Sequence, residues 1–496
     1  MPVVDPEENA TVDDPPVPTV RMEGLGREAG EGAEVSEIGE TRERSDNREV
    51  GELPAVEETP AEPTPVGPVV TDPYDDATYI YDQQALRTYE LVLSPEDLAL
   101  IDSAPREEMY VQGALRFEGQ EYGPVGIRYK GSVGAFRGCI STEDGSGAKS
   151  CTKLSMKVKF NWNDPEARFF GLKKLQFHSM VNDPAMLKER LGYWMFRQFG
   201  VPAPRAVHAR LIINGRFNGL FALVEQIDGR FTRSRFSEGG KGNLYKEAWP
   251  IDSLGLARSQ MYLLERLKTN EDEDPTFHGM VGFGTDLQNA SADNLPEVLK
   301  SWTDLEQTMR YVVVDRTTRN DDGAFHWYAR AGAATAWNHN YYWYEEPETA
   351  RLWIIPWDLD STFNLDSRIT TIWMPWDDTS HECIGMSQSP HPALRAPSCD
   401  KLIWAWAQQQ DRFLALLEAF LAGPFREEAW EPQLSAWQAQ IAPFVQEADL
   451  THADAVTVPE WQAATMDLRT RLLVLREAAS ARLAEGPKEI GERWAM

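Results

Sequence analysis

Two apolar runs, Val207–Ile213 and Gly219–Glu225, flank the dipeptide Asn214-Gly215. Asn-Gly readily adopts the positive φ angles of a two-residue hairpin turn, so the runs read as paired antiparallel strands. The segments upstream add to that sheet. Tyr89–Leu93 reads as a strand, and Ser94-Pro95-Glu96-Asp97 starts a helix with Ser94 as N-cap and Pro95 in the first turn. Strands are expected at about 109–117 and 122–131. Lys153–Phe160 alternates: Leu154, Met156, Val158 and Phe160 face a core, while Lys153, Ser155, Lys157 and Lys159 face the other way. Asn182-Asp183-Pro184 caps an amphipathic helix over roughly 184–199, closed by Gly200 and Pro202. The first lobe is therefore expected to be an antiparallel sheet with one principal helix.

Downstream the pattern changes. Residues 252–310 read as helical and charged, a buried helix falls near 303–319, and two strands carry Tyr341–Tyr344 and Leu352–Trp357. From Lys401 to Leu483 the pattern is helical. Upstream of all this, residues 1–75 are rich in Glu, Pro, Val and Thr and almost free of aromatics. Such a segment cannot bury enough surface to offset its chain entropy, so a disordered tail or tether is expected there. The division that follows is 1–75 tail, 76–250 first lobe, 251–400 second lobe with the acidic segments, and 401–496 helical completion of that lobe.

A net charge of −29 argues against a nucleic-acid binder. No apolar stretch is long enough for a membrane helix, and Met1–Asp5 has no signal-peptide character as it stands. The four Cys form two local couples, Cys139 with Cys151 and Cys383 with Cys399. Two disulfides and an oxidising compartment are expected, with free thiols as the alternative; no CxxC spacing supports zinc.

The chemistry concentrates in a few segments. Ile354–Trp357 ends in Asp358 and, two residues on, Asp360; on a strand the two carboxylates would share a face. With Asn340 they make an all-oxygen set suited to a hard cation such as Mg²⁺. Arg128-Tyr129-Lys130-Gly131-Ser132 is a Gly- and Ser-bearing turn whose backbone N–H groups could cradle phosphate, although glycines more often mark ordinary hairpins. Lys157 lies on the non-core face of its strand, with Glu189 on the helix as its candidate partner. Asp322 could accept a proton from a substrate hydroxyl, and Asp321 is its rival because spacing does not separate adjacent acids.

These segments resemble the CotH kinase family. The matching pieces are Arg128–Ser132, Lys153–Phe160, Phe170–Leu175, Asn182-Asp183-Pro184 with its helix, Asn214–Phe221, Glu225–Asp228, Gly242–Lys246, His339–Tyr344 and Pro356-Trp357-Asp358, in the family's order over roughly 85–375. The resemblance implies an α+β, protein kinase-like two-lobe fold: an antiparallel N-lobe sheet and a mainly helical C-lobe. It implies transfer of the ATP γ-phosphate to Ser or Thr of a protein substrate, with Mg²⁺ or Mn²⁺ as cofactor. It implies Lys157 as the nucleotide-binding Lys, with Lys153 also carried in the nucleotide-binding set, and Glu189 as its helix partner. Glu225 falls at the hinge, Asp322 at the catalytic Asp, and Asn340 with Asp358 at the metal, Asp360 being secondary. A secreted or surface-tethered monomer is expected. Two departures stand out: the interval from Asp322 to Asn340 is long, and Cys139 and Cys151 flank an insertion in the phosphate loop. The competing readings are a coat or envelope scaffold without catalysis, and a metal- or glycan-binding surface module drawing on the seventeen Trp and the acidity.

Overall fold

The structure is a computed structural model. It describes residues 77–494 apart from 132–133, 137, 143–146, 237–239, 271–274, 366–375, 380–381, 389–390 and 492–493. Ser132 and the expected tail lie outside the described residues.

Seven strands form a closed barrel: β1 (Arg87–Leu93), β2 (Val111–Phe117), β3 (Gln120–Tyr129), β4 (Met156–Lys159), β5 (Lys174–His178), β6 (Ala206–Ile213) and β7 (Arg216–Val224). The order around the barrel is β1-β2-β3-β4-β5-β7-β6. The Asn214-Gly215 hairpin forms as expected, with φ of 48° and 75° at the two turn residues. One expectation is corrected: the sheet is not wholly antiparallel, because β1 pairs parallel with β6 and closes the barrel. Residue-by-residue pattern cannot show that seam, since it joins strands distant in the chain.

Helix α1 (Pro95–Ser103) is capped by Ser94, whose side chain accepts the Asp97 N–H. Helix α2 (Lys188–Gln198) starts later than the sequence pattern suggests. Asp183 instead accepts the N–H groups of Ala185 and Lys188, holding an extra turn ahead of the helix.

Beyond the barrel come α3 (Gly229–Arg235), β8 (Asn243–Lys246), α4 (Gln260–Leu264), α5 (His278–Asn289), α6 (Leu295–Trp302) and α7 (Leu305–Thr317). Strands β9 (Trp327–Ala329), β10 (Ala336–Trp337), β11 (Tyr341–Glu345) and β12 (Leu352–Pro356) follow, then β13 (Met386–Gln388) and β14 (His391–Arg395). The chain finishes in α8 (Lys401–Ala407), α9 (Gln410–Ala422), α10 (Glu427–Thr451) and α11 (Val458–Glu485). A three-stranded sheet runs β12-β11-β8 and a four-stranded one β10-β9-β14-β13, so the chain is α+β.

Two hydrophobic cores result. One fills the barrel, with Tyr89, Ile127, Met156, Val158, Phe177 and Leu223. The other joins α2, the β12-β11-β8 sheet, α7 and the last four helices around residues such as Phe196, Val313, Trp343, Trp406, Trp437 and Leu472. Both disulfides, Cys139–Cys151 and Cys383–Cys399, are formed. No helix among the described residues is long and apolar enough to cross a membrane.

Candidate active site

The barrel wall positions the basic side of the site. Arg128, Lys157 and Gln176 are direct cross-strand partners on β3, β4 and β5, so their side chains share one face. Lys130 continues that row through its N–H to Ser155 O, and His178 ends it on β5. The alternate residues Ile127, Tyr129, Met156, Val158, Leu175 and Phe177 fill the barrel. The sequence pattern therefore gives the correct inward set. Yet Arg128, Ser155, Lys157, Gln176 and His178 are buried as well, at 2–7% exposure. Their face lies against other parts of the protein rather than open solvent. A buried amide, Gln176 Nε2, finds no hydrogen-bond partner among the described residues.

Glu108 organises the row's outer end. It pairs with Arg128, and its other oxygen accepts the Gly131 N–H at 2.8 Å. At the inner end the Lys130 Nζ lies 2.7 Å from His178 Nε2, and His178 Nδ1 lies 2.9 Å from Glu189 on α2. Burial depresses the Lys130 pKa, with Asp358 and Glu189 opposing, and raises that of Glu189, with Lys130 opposing. Lys130 is a cation whose charge acts on Glu189, while burial, then Lys130 and Lys157, keep His178 neutral. Lys153 sits elsewhere, its Nζ donating to Leu220 O at 2.7 Å. Glu225 is held by Arg205 at 2.8 Å and by Arg235.

The acidic side grows from one end of the β12-β11-β8 sheet. Tyr342 pairs with Lys246 and Tyr341 with Pro356, which brings Lys246-Glu247, His339-Asn340 and Trp357-Asp358 together. Glu247 Oε1 accepts the Asn340 N–H at 3.3 Å, and Asn340 O accepts the Trp357 N–H at 3.1 Å. Glu247, Asn340 and Asp358 all hold left-handed backbone, with φ of 55°, 61° and 53°. In non-glycine residues this conformation is costly and clusters at functional sites.

The shared strand face expected for Asp358 and Asp360 does not exist. Strand β12 stops at Pro356, Asp358 turns left-handed, and residues 359–361 form a single 3₁₀ turn. Asp358 N–H donates to the Tyr193 hydroxyl at 3.0 Å, tying the turn to α2. Asp360 lies within 3.3 Å of the Asn182 amide.

Asp322 belongs to this group and Asp321 does not. Asn340 Nδ2 reaches Asp322 Oδ2 at 3.1 Å, His339 Nε2 reaches Oδ1 at 2.7 Å, and the Tyr328 hydroxyl donates to the same oxygen. Burial opposes ionisation of Asp322, but the His339 charge and hydrogen bond outweigh it and hold the pKa low. Asp321 packs beside Arg319 at 4.0 Å, and burial pushes its carboxyl up to about 7.

The acids fit a divalent cation. Burial raises the pKa of Asp358 and Asp360, and their neighbours Glu189 and Asp322 raise both further. Carboxylates so placed disfavour each other's ionised form until a cation joins them. The Asp358 carboxylate and Asn340 Oδ1 accept no hydrogen bond from a described residue. Ligand atoms of His178, Glu189 and Asp358 lie within 4.8 Å of one another. Sequence reasoning missed Glu108, His178, Lys246 and Glu247 as site neighbours. The partner of His339, Asp322, lies across space from it.

The family to which the chain belongs is shown by comparison with known proteins. The model of the CotH kinase protein family matches residues 127–472, and the chain belongs to that family. Among curated proteins the chain is similar to the inner spore coat protein H of Bacillus subtilis (strain 168), with 22% identity over 371 residues, covering 73% of this chain and 89% of that one. It is also similar to an inner spore coat protein H-like protein of the same organism, with 35% identity over 60 residues, 12% of this chain and 20% of the other. Among solved structures, a crystal structure of a Helicobacter pylori proinflammatory kinase, CtkA, matches at 10% identity and a TM-score of 0.25, covering 66% of this chain and 94% of that one.

Proposed function

We propose that this chain is a nucleotide- and metal-dependent protein kinase, which transfers the γ-phosphate of ATP to Ser or Thr hydroxyls of secreted or surface proteins. The observation that carries the reading is the meeting of a buried basic row with buried, mutually repelling carboxylates, in a chain of net charge −29. The barrel with α2 acts as the upper lobe and the sheet-and-helix body as the lower one.

Each side chain then has a task. Arg128, Lys130 and Lys157 offset phosphate charge, and the partnerless Gln176 amide offers a hydrogen-bond donor to the nucleotide. Asn340 and Asp358 hold the metal, with Asp360 behind them. A divalent ion bound there would neutralise phosphate oxygens. Asp322 stays ionised near neutral pH and orients the attacking hydroxyl. Positioning counts for more than basicity, because the phosphoryl-transfer transition state is loose. His339, Tyr328 and the Asn340 amide fix its direction.

The two disulfides and the name of the spore-coat relative support an extracytoplasmic or coat location, with residues 1–75 as a tether. That relative's name also supports a second reading, a coat assembly protein that keeps the fold without transfer. Labelled ATP with Mg²⁺ or Mn²⁺ and a Ser/Thr-bearing protein separates the two. The kinase reading expects transfer that disappears in Asp358→Ala and falls at least about a hundredfold in Asp322→Asn, as for loss of an acid–base group. Absence of both transfer and any nucleotide-induced thermal shift would leave the assembly reading.

A further inference from the structure

His178 ends the basic row, but its geometry suits a ligand. Its Nδ1 lies 2.9 and 3.1 Å from the two Glu189 oxygens. A carboxylate accepts, so a neutral ring carries its proton on Nδ1. That leaves a lone pair on Nε2, directed to the Lys130 ammonium at 2.7 Å. A carboxylate that fixes one ring nitrogen while the other faces a cation is the arrangement found around metal-bound histidines. Here the cation is an ammonium standing where a metal ion could. The Asp358 carboxylate completes the group: one of its oxygens lies within 4.8 Å of a ring nitrogen of His178 and of a Glu189 oxygen. The Trp357 ring fixes the place: it meets His178 edge-on at 5.6 Å and lies 5.5 Å below Lys130 Nζ.

We propose that His178 Nε2 and Asp358 form a mixed nitrogen–oxygen site for a first-row transition ion, oriented by Glu189 and contested by the Lys130 ammonium. The inference rests on the kinase reading for its purpose, but not for its chemistry. Mg²⁺ prefers oxygen ligands and its own water, whereas imidazole suits Fe, Ni, Cu and Zn; Mn²⁺ also favours oxygen but accepts an imidazole more readily than Mg²⁺ does. The nitrogen therefore biases the site away from Mg²⁺. Lys130 and the ion compete for one lone pair, so loss of the ammonium favours the ion.

The test uses the full chain and Mn²⁺ alone. Loss of the free Mn²⁺ resonance gives affinity, and pulsed electron paramagnetic resonance reports nitrogen bound to the ion. Nitrogen coupling is expected in the native chain, changing with isotopically labelled histidine, a measurement that needs no substitution. His178→Gln is expected to remove the coupling and weaken Mn²⁺ binding about tenfold or more, Glu189→Gln to weaken it by a similar factor, and Lys130→Met to tighten it. Bound Mn²⁺ without histidine nitrogen coupling, or coupling that survives His178→Gln, overturns the site. If ATP transfer with Mg²⁺ persists alongside that result, the kinase reading stands and this inference alone fails. If neither Mn²⁺ nor nucleotide binds, both fail.

Discussion

Asp358, Asn340 and Glu247 carry left-handed backbone at one sheet end without being glycines. Each bends its chain out of the sheet direction while keeping a side chain that can act. At Asp358 the conformation and the burial of a carboxylate among carboxylates both work against stability. Asp358→Gly is therefore expected to lose phosphate transfer and metal affinity while its thermal midpoint holds or rises, by an amount corresponding to about 1 kcal/mol. Differential scanning calorimetry beside Mn²⁺ titration checks this; a clear fall in the midpoint would mean that the carboxylate stabilises the turn.

Glu225 shows the opposite economy. It is buried, yet Arg235 and Arg205 override the burial and lower its pKa. A carboxylate with a depressed folded pKa contributes stability that is present above the ordinary Glu range. That contribution is lost as the pH falls through the lower folded value. Glu225→Gln should cost roughly 2–3 kcal/mol, since it leaves two guanidinium groups short of their partner. It should also flatten the acid limb of a stability-versus-pH curve. Urea unfolding across that range tests both, and an unchanged acid limb would refute the assignment.

Among the elements, α2 and the turn after β12 pack directly against each other at the site. Gly192 makes the approach possible: a Cβ there would lie 3.0 Å from Leu359 Cδ1 and 3.2 Å from Leu359 Cβ. Gly192→Val should push the 359–361 turn away, carry Asp358 with it and cost about 1–3 kcal/mol. Metal affinity should fall although no ligand has changed; intact affinity in a folded variant would show that the turn adapts.

How much the sequence reveals also differs by element. The β6–β7 hairpin, the Ser94 cap and the inward residues of β4 follow from local chemistry, and local chemistry is present in the residues themselves. The face of β4 bearing Lys157 is different. Alternation shows that it points away from the barrel, but only tertiary packing decides that away means inside. The same limit explains Asp358 and Asp360. Their spacing suggests a strand, and the chain leaves the strand first. The pairings of His178 with Glu189 and of His339 with Asp322 have no sequence period, because each joins different elements.

At the scale of the whole molecule, the last helices are inseparable from the lower core. Trp430, Leu434, Trp437, Ile441 and Val445 of α10 are buried in the core that holds α2. Helix α10 also reaches the barrel, where Glu447 pairs with Arg210 of β6, and its Trp437 ring lies 4.3 Å from the guanidinium of Arg190 on α2. A chain ending before Glu427 should therefore lose cooperative unfolding and become sensitive to protease throughout α2. Limited proteolysis with mass spectrometry decides this; a resistant, cooperatively unfolding remnant would make α10 and α11 an appendage.

The parallel seam between β1 and β6 imposes an order of events on the growing chain. Strand β1 leaves the ribosome well before β6, and every other barrel strand except β7 is made in between. Until β6 arrives, the β1 edge of the nascent sheet stays open, and open edges recruit stray strands. Newly made protein should thus pass through a period when it needs a chaperone or a secretion factor to shield that edge, ending only when the hairpin at Asn214-Gly215 has emerged.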